Sequence, residues 1–260
     1  MPDESKPAFT AAYILPGRGF MILQITAYVP GIWEVKVLDA PSLDEAAQIL
    51  DSGIDDRAGN KSFSMGAAVL LPYANRLRGE LSSDGTVIAT NIRGKHVQLP
   101  ANWRGKLPRS HRYAMHGLIL KSQSDRVEVP NSQTLVGRYS AGDFGGSWPS
   151  RTELSFNYSI NNNSFNMDVK ATNVGNEKLP IGVGWHPYFA IPSGNRRQAR
   201  LRVPSLKRLE VNNYDEVLPT GKTLSVSATD YDFTAEGAGN SGIFFLMIAS
   251  WNRSAPLKVG

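Results

Sequence analysis

The sequence predicts an all-β protein of packed antiparallel sheets, a large β-sandwich rather than a small closed barrel, with few short helices. Three observations predict it. Two adjoining segments alternate apolar and polar residues with period two, helix signals are confined to one short stretch, and turn residues recur throughout, with 24 Gly and 16 Pro in 260 residues. A chain of this length can bury a large core. It shows no internal repeat, no low-complexity tract and no linker long enough to separate domains, so one domain over residues 1–260 is expected.

Each element has its own signal. The opening Met1-Pro2-Asp3-Glu4-Ser5-Lys6 places acidic residues first, the reverse of a secretory leader, and a cytoplasmic address is expected. Residues 20–29 are largely apolar but are interrupted by Gln24 and Thr26 and closed by Pro30, which reads as a strand. No stretch reaches the roughly 20 apolar residues that span a bilayer, so no membrane partner is expected. Ser42-Leu43-Asp44-Glu45 is a capping box, with Ser42 as N-cap and Glu45 three positions on; it opens a helix through Leu50, with Gly53 just beyond. Leu154, Phe156, Tyr158 and Ile160 alternate with polar residues, as do Phe165, Met167, Val169 and Ala171. These predict a hairpin turning at residues 161–164, where three asparagines tolerate left-handed backbone angles. Residues 243–248 form a continuous apolar run, as in a strand buried on both faces.

Several chemistries are excluded or poorly supported. With no cysteine there can be no disulfide, thiolate metal site or cysteine nucleophile. The net charge of +5 is mild, and the densest basic stretches, residues 104–112 and 196–202, lack the aromatic interleaving of nucleic-acid readers, so no nucleic-acid partner is expected. No His-Glu-x-x-His spacing points to a metal. No Gly-x-Ser-x-Gly elbow supports a serine hydrolase. Gly182-Val183-Gly184 lacks the third glycine of a dinucleotide fingerprint.

The candidate functional residues fall in four stretches. In Gly184-Trp185-His186-Pro187-Tyr188-Phe189 a histidine sits among aromatics. Its ordinary pKa of about 6.5 suits proton donation and uptake near neutrality, and aromatic faces are surfaces on which sugar rings stack. His116 precedes Gly117, which lets backbone or ligand approach closely. His96 and His111 lie beside Lys95 and Arg112 and read as surface residues. Pro72-Tyr73-Ala74-Asn75-Arg76 ends an apolar run with an amide and a guanidinium, both able to hydrogen-bond neutral hydroxyls. Asp215 and Glu216 precede a Pro219-Thr220-Gly221 turn. Taken singly, each has a purely structural reading: a satisfied core histidine, a strand-end arginine paired with a carboxylate, a surface turn.

Together, and in this order, the stretches resemble the aldose 1-epimerase (galactose mutarotase) family. The resemblance runs through Pro72-Tyr73-Ala74-Asn75-Arg76-Leu77-Arg78-Gly79, His116-Gly117, Gly184-Trp185-His186-Pro187-Tyr188-Phe189 and Asp215-Glu216-Val217-Leu218-Pro219-Thr220-Gly221. It implies a mutarotase-like β-sandwich with a sugar cleft, acting on a free aldose of glucose or galactose type without cofactor or metal. By matching positions, His186 would protonate the ring oxygen while the C1 hydroxyl loses its proton. His116 would hydrogen-bond the sugar near the ring, Asn75 and Arg76 would hold hydroxyls, and Asp215 would grip another part of the ring.

One departure stands out. The resemblance implies a late glutamate as general base in an Ile-Glu-Pro-like setting, yet Ser250-Trp251-Asn252-Arg253-Ser254 holds no such motif and no Glu follows Glu236. Either the chain lacks the family's C-terminal strands or has diverged, or another carboxylate serves. Two alternatives therefore stand beside an anomer-interconverting isomerase: a non-catalytic carbohydrate-binding protein on the same fold, and a hexose-6-phosphate 1-epimerase. Asn75-Arg76 looks more like the free-sugar branch.

Overall fold

The alternating patterns become antiparallel strands in the computed structural model, which describes residues 5–52, 56–105, 111–195, 199, 202–213 and 216–234. β1 (Ala8–Leu15) pairs with β2 (Met21–Val29), which turns back into β3 (Trp33–Lys36). The strand expected at residues 20–29 is β2, and its two polar interruptions stay inside. Gln24 is buried because its side chain acts as a ladder rung: Nε2 donates to the Leu38 carbonyl at 2.8 Å, and Oε1 accepts from the Leu38 N–H at 2.9 Å and the Ile25 N–H at 3.0 Å. α1 (Leu43–Asp51) follows, with the expected capping box: Ser42 Oγ accepts from the Glu45 N–H at 3.3 Å, and Glu45 Oε2 accepts from the Ser42 N–H at 2.9 Å. Its Ala46 and Leu50 pack on Met21 and Leu23, covering one face of β2. β4 (Ala67–Leu70) joins the same sheet and is buried along its whole length.

Short strands come next. β5 (Arg76–Leu77), β6 (Glu80–Leu81), β7 (Val87–Ile92), β8 (Lys95–Pro100), β9 (Trp103–Arg104) and β10 (Arg112–Met115) form two small sheets, ordered β5-β10-β9 and β6-β7-β8. β11 (Arg126–Asn131), β12 (Thr134–Gly142), β13 (Thr152–Asn161) and β14 (Ser164–Asn173) make a four-stranded meander. The predicted hairpin is β13–β14, in unbroken register from Thr152↔Asn173 to Asn161↔Ser164. Its asparagines act through a side chain rather than through left-handed angles. Asn161 Oδ1 accepts from the N–H groups of Asn163 and Ser164 at 2.8 and 3.0 Å, and none of the three takes a positive φ. β15 (Gly184–Pro187) then returns to pair with β4 and completes the first sheet, of five strands.

The five-stranded sheet and the meander face each other across one core, the sandwich that the alternation predicts. Phe20, Ile22, Ile25, Val69 and Leu71 meet Leu154, Phe156 and Tyr158 there. Phe20 stacks on Phe156 with ring centroids 4.4 Å apart, and the Tyr158 hydroxyl donates to the Phe20 carbonyl at 2.6 Å. Gly137 makes this fit possible, since a Cβ at that position would fall 1.9 Å from the Phe20 ring. Each large side chain buried in this core contributes about 1.5–3 kcal/mol.

The chain divides into two compact units, Met1–Ala190 and Ile191–Gly260. In the second, β16 (Lys207–Val211) and β17 (Pro219–Ser225) form an antiparallel hairpin. Pro219-Thr220-Gly221, expected as a turn, instead opens β17. The turn lies just upstream because Asn212 and Asn213 gather its backbone: Asn212 Oδ1 accepts from the Leu218 N–H at 3.0 Å and Asn213 Oδ1 from the Glu216 N–H at 2.7 Å. The apolar run at residues 243–248 lies outside the described residues. No helix among the described residues is long and apolar enough to cross a membrane.

Candidate active site

His186 is aimed by strand pairing. β15 runs antiparallel to β4 with Trp185 opposite Val69 and His186 opposite Ala68. Directly opposed residues share a face of the sheet. Val69 belongs to the sandwich core, and Trp185 packs against that same core. His186 therefore leaves on the other face, over the small Ala68. The aromatic run around it is split accordingly: Trp185 serves the core, while the Tyr188 ring stays beside His186 at 5.0 Å between centroids.

His116 arrives on the same face by a different route. It follows the end of β10 with φ +64°, and its N–H donates to the Asn75 carbonyl at 2.9 Å; Asn75 also has φ +64°. The two left-handed residues thus hold each other at the mouth of the β5–β10 pair. Gly117 has φ +86°, and a Cβ there would lie 2.2 Å from the Leu71 carbonyl oxygen. The close approach that Gly117 permits is therefore made by backbone. As a result the His116 and His186 rings lie 5.3 Å apart at 64°. Phe63, from the 3-10 segment Arg57–Phe63, sits against both, at 5.1 Å from His116 and 6.2 Å from His186.

Arg76 comes to this cluster through register, because it stands opposite Met115, the residue before His116. Its guanidinium carbon lies 3.6 Å from the centre of the Trp103 ring. Trp103 is placed by β9, where it pairs with Tyr113 of β10. The half-buried Asn75 and Arg76 thus flank a buried His116 and a half-buried His186. Phe63 and Trp103 carried no signal in the sequence, since neither belongs to a motif and both reach the site through long-range packing.

Burial dominates the electrostatics. It lowers the pKa of His116 from 6.5 to about 3, helped by the neighbouring His186 and then by the positive charge of Arg76. His186 is also lowered by burial, with its own backbone opposing in part. Burial raises the Tyr188 phenol. Both imidazoles are thus neutral at pH 7, each with one N–H donor and one acceptor nitrogen. The Nδ1 atoms of both are buried without a hydrogen-bond partner among the described residues. No carboxylate among the described residues enters the charge environment of either ring.

His96 and His111 are exposed. A separate cavity of about 440 Å³ beside β7 and β8, lined by His96 and Gln98 among others, shares no residue with the histidine pair. Asp215 lies outside the described residues. Among the described residues no cluster of three or more His, Cys, Asp or Glu is arranged to hold a metal ion.

The family model described as aldose 1-epimerase matches residues 44–243, a span that contains every residue of this cluster. The chain belongs to the aldose 1-epimerase family. Solved structures of similar fold include the GalM/aldose epimerase homologue from C. elegans, with 17% identity and a TM-score of 0.62 over 88% of this chain and 61% of that one. Galactose 1-epimerase from Lactobacillus acidophilus NCFM is similar over 91% of this chain and 68% of its own, with 17% identity and a TM-score of 0.51. A galactose mutarotase related enzyme from Lactobacillus acidophilus gives 16% identity and a TM-score of 0.51 over 86% and 68%. At these identities the likeness is one of fold. The family member described here spans 61% of the length of the C. elegans homologue. No curated protein matches the sequence.

Proposed function

We propose that this aldose 1-epimerase family member interconverts the α and β anomers of a free aldohexose by acid–base ring opening and closure. The observation that carries the reading is the pair of imidazoles 5.3 Å apart, His116 buried and His186 half-buried, with Arg76 beside them. In the forward step a proton is delivered to the ring oxygen, the bond from C1 to that oxygen breaks, and the C1 hydroxyl passes its proton to a water molecule as its carbonyl forms. Rotation about the next bond and reversal of these steps yield the other anomer. His186 is the donor in this scheme, acting through its imidazolium form: burial makes that form a minor one at pH 7 and the stronger acid for it, so the proton passes readily to the ring oxygen and leaves the neutral imidazole. His116 donates a hydrogen bond near the ring, while Asn75 and Arg76 hold hydroxyls through amide and fork donors. Asp215 is proposed as a further contact to the sugar.

A second reading is carbohydrate binding without turnover on the same fold. It is favoured by the lack, among the described residues, of a carboxylate acting on either imidazole. Polarimetry of freshly dissolved α-glucose and α-galactose separates the two. The first reading expects the protein to speed the approach to equilibrium, and His186→Asn to slow it by about 10²–10⁴ with a much smaller change in sugar affinity. A wild-type rate equal to buffer, with sugar still bound, selects the binding protein.

A further inference from the structure

We propose that Trp103 is a positioning residue of this site: its indole face holds the Arg76 guanidinium in the orientation that meets a sugar. The inference rests on the sugar-binding reading above for its purpose, and on geometry for its mechanics. The guanidinium carbon of Arg76 lies 3.6 Å from the centre of the Trp103 ring. At that distance a nitrogen aimed at the ring would sit inside van der Waals contact, so the guanidinium is stacked on the π face. Its N–H donors then lie in a plane alongside the indole rather than against it, the orientation in which a guanidinium fork meets paired oxygens.

Arg76 needs such a support. β5, which carries it, is only the two residues Arg76–Leu77, and its rungs to β10 are Ala114↔Leu77 and Met115↔Arg76. Strands usually run 3–10 residues, and a two-residue strand fixes the long arginine side chain poorly. The platform itself is held firmly. Asn102, directly before Trp103, is buried. Its Oδ1 accepts from the Met115 N–H at 2.7 Å, and its Nδ2 donates to the Met115 carbonyl at 3.0 Å and to Asn60 Oδ1 at 2.9 Å. Asn60 Nδ2 donates back to the Asn102 carbonyl at 2.7 Å. The Trp103 ring also leans on Tyr113, 5.5 Å away. Asn102 is therefore tied to the residue just before His116, and the dipeptide Asn102-Trp103 sets the guanidinium and the imidazole from one piece of backbone.

The test uses Trp103→Leu, which removes the π face, and Trp103→Phe, which keeps one. In polarimetric assays of the full chain, Trp103→Leu should raise KM by about 5- to 30-fold, the worth of a desolvated cation–π contact, and leave kcat within about threefold. Trp103→Phe should recover most of the loss. In the Arg76→Ala background, Trp103→Leu should add nothing, because the group it positions is gone. An unchanged KM, or effects that add in the double variant, would overturn the proposal. A readout independent of turnover is the Arg76 Nε–Hε resonance. It should be shifted upfield by the indole in the wild type, stay shifted in Trp103→Phe and return to the free-arginine position in Trp103→Leu. If the wild type fails to speed mutarotation, the proposed function falls and this resonance alone decides: an unshifted signal in the wild type overturns the positioning role, and a shifted one upholds it.

Discussion

Burial lowers the pKa of His116 from 6.5 to about 3, and the shift bears on folding as well as on proton transfer. Above about pH 6.5 the imidazole is neutral in both folded and unfolded chains. As the pH falls from there toward 3, the unfolded chain takes up a proton that the folded chain refuses, so stability declines with acidification. One such site costs up to about 1.4 kcal/mol per pH unit within that window. Urea unfolding at pH 7 and pH 5 should therefore show the wild type losing about 2 kcal/mol more than His116→Gln between the two. Equal losses in both proteins would mean that His116 accepts its proton while still folded. At this scale the sequence discloses the pair His116 and His186 through the motifs around them, and the structure brings the two together. It discloses nothing of Phe63 or Trp103. Nothing near Trp103 in the chain marks it, because its partner Arg76 sits across the β5-β10-β9 sheet.

Elements are legible where their signal is local. The capping box of α1 and the alternation of β13–β14 can be read from a dozen adjacent residues, and both form as expected. β5 and β9 are two residues each, too short to show any period, yet they carry Arg76 and Trp103. The turn before β17 is likewise displaced from its expected place, because asparagine side chains rather than Pro219-Thr220-Gly221 define it. The link from β10 to the site turns on Gly117. Gly117→Ala brings both a left-handed backbone and a contact with the Leu71 carbonyl, whereas Gly94→Ala at φ +86° meets nothing within 4 Å. The first should lose at least about 2 kcal/mol, and clearly more than the second, which carries only the backbone strain. Matching losses in denaturant unfolding would show that the approach of Leu71 is readily relieved.

For the molecule as a whole, the hydrophobic clusters found among the described residues lie within Met1–Ala190, from Phe9 in β1 to Trp185 in β15. The histidine pair and Arg76 belong to the same unit. Expressed as residues 1–190, the chain should unfold cooperatively on heating and retain the dispersed amide spectrum of a packed sandwich. A molten fragment lacking dispersion would show that its core depends on the second unit, as one domain over residues 1–260 would have it. Sugar titration of the same fragment measures what residues 191–260, including Asp215, add to binding.

β2 illustrates a different problem that this architecture has to solve. Most strands have their alignment policed by water, because a slip of one position drives polar groups inward and apolar ones out. β2 has no wet face from Met21 to Ile25: Met21 and Leu23 lie under α1, while Ile22 and Ile25 lie in the sandwich. Slipped by one residue, it would still present hydrocarbon on both sides. Gln24 is what sets the observed alignment apart, since there its amide pairs with both backbone groups of Leu38. Displaced, it would strand several buried polar atoms at about 1–3 kcal/mol apiece. A single amide serves there as the key that admits one alignment and locks out its neighbours.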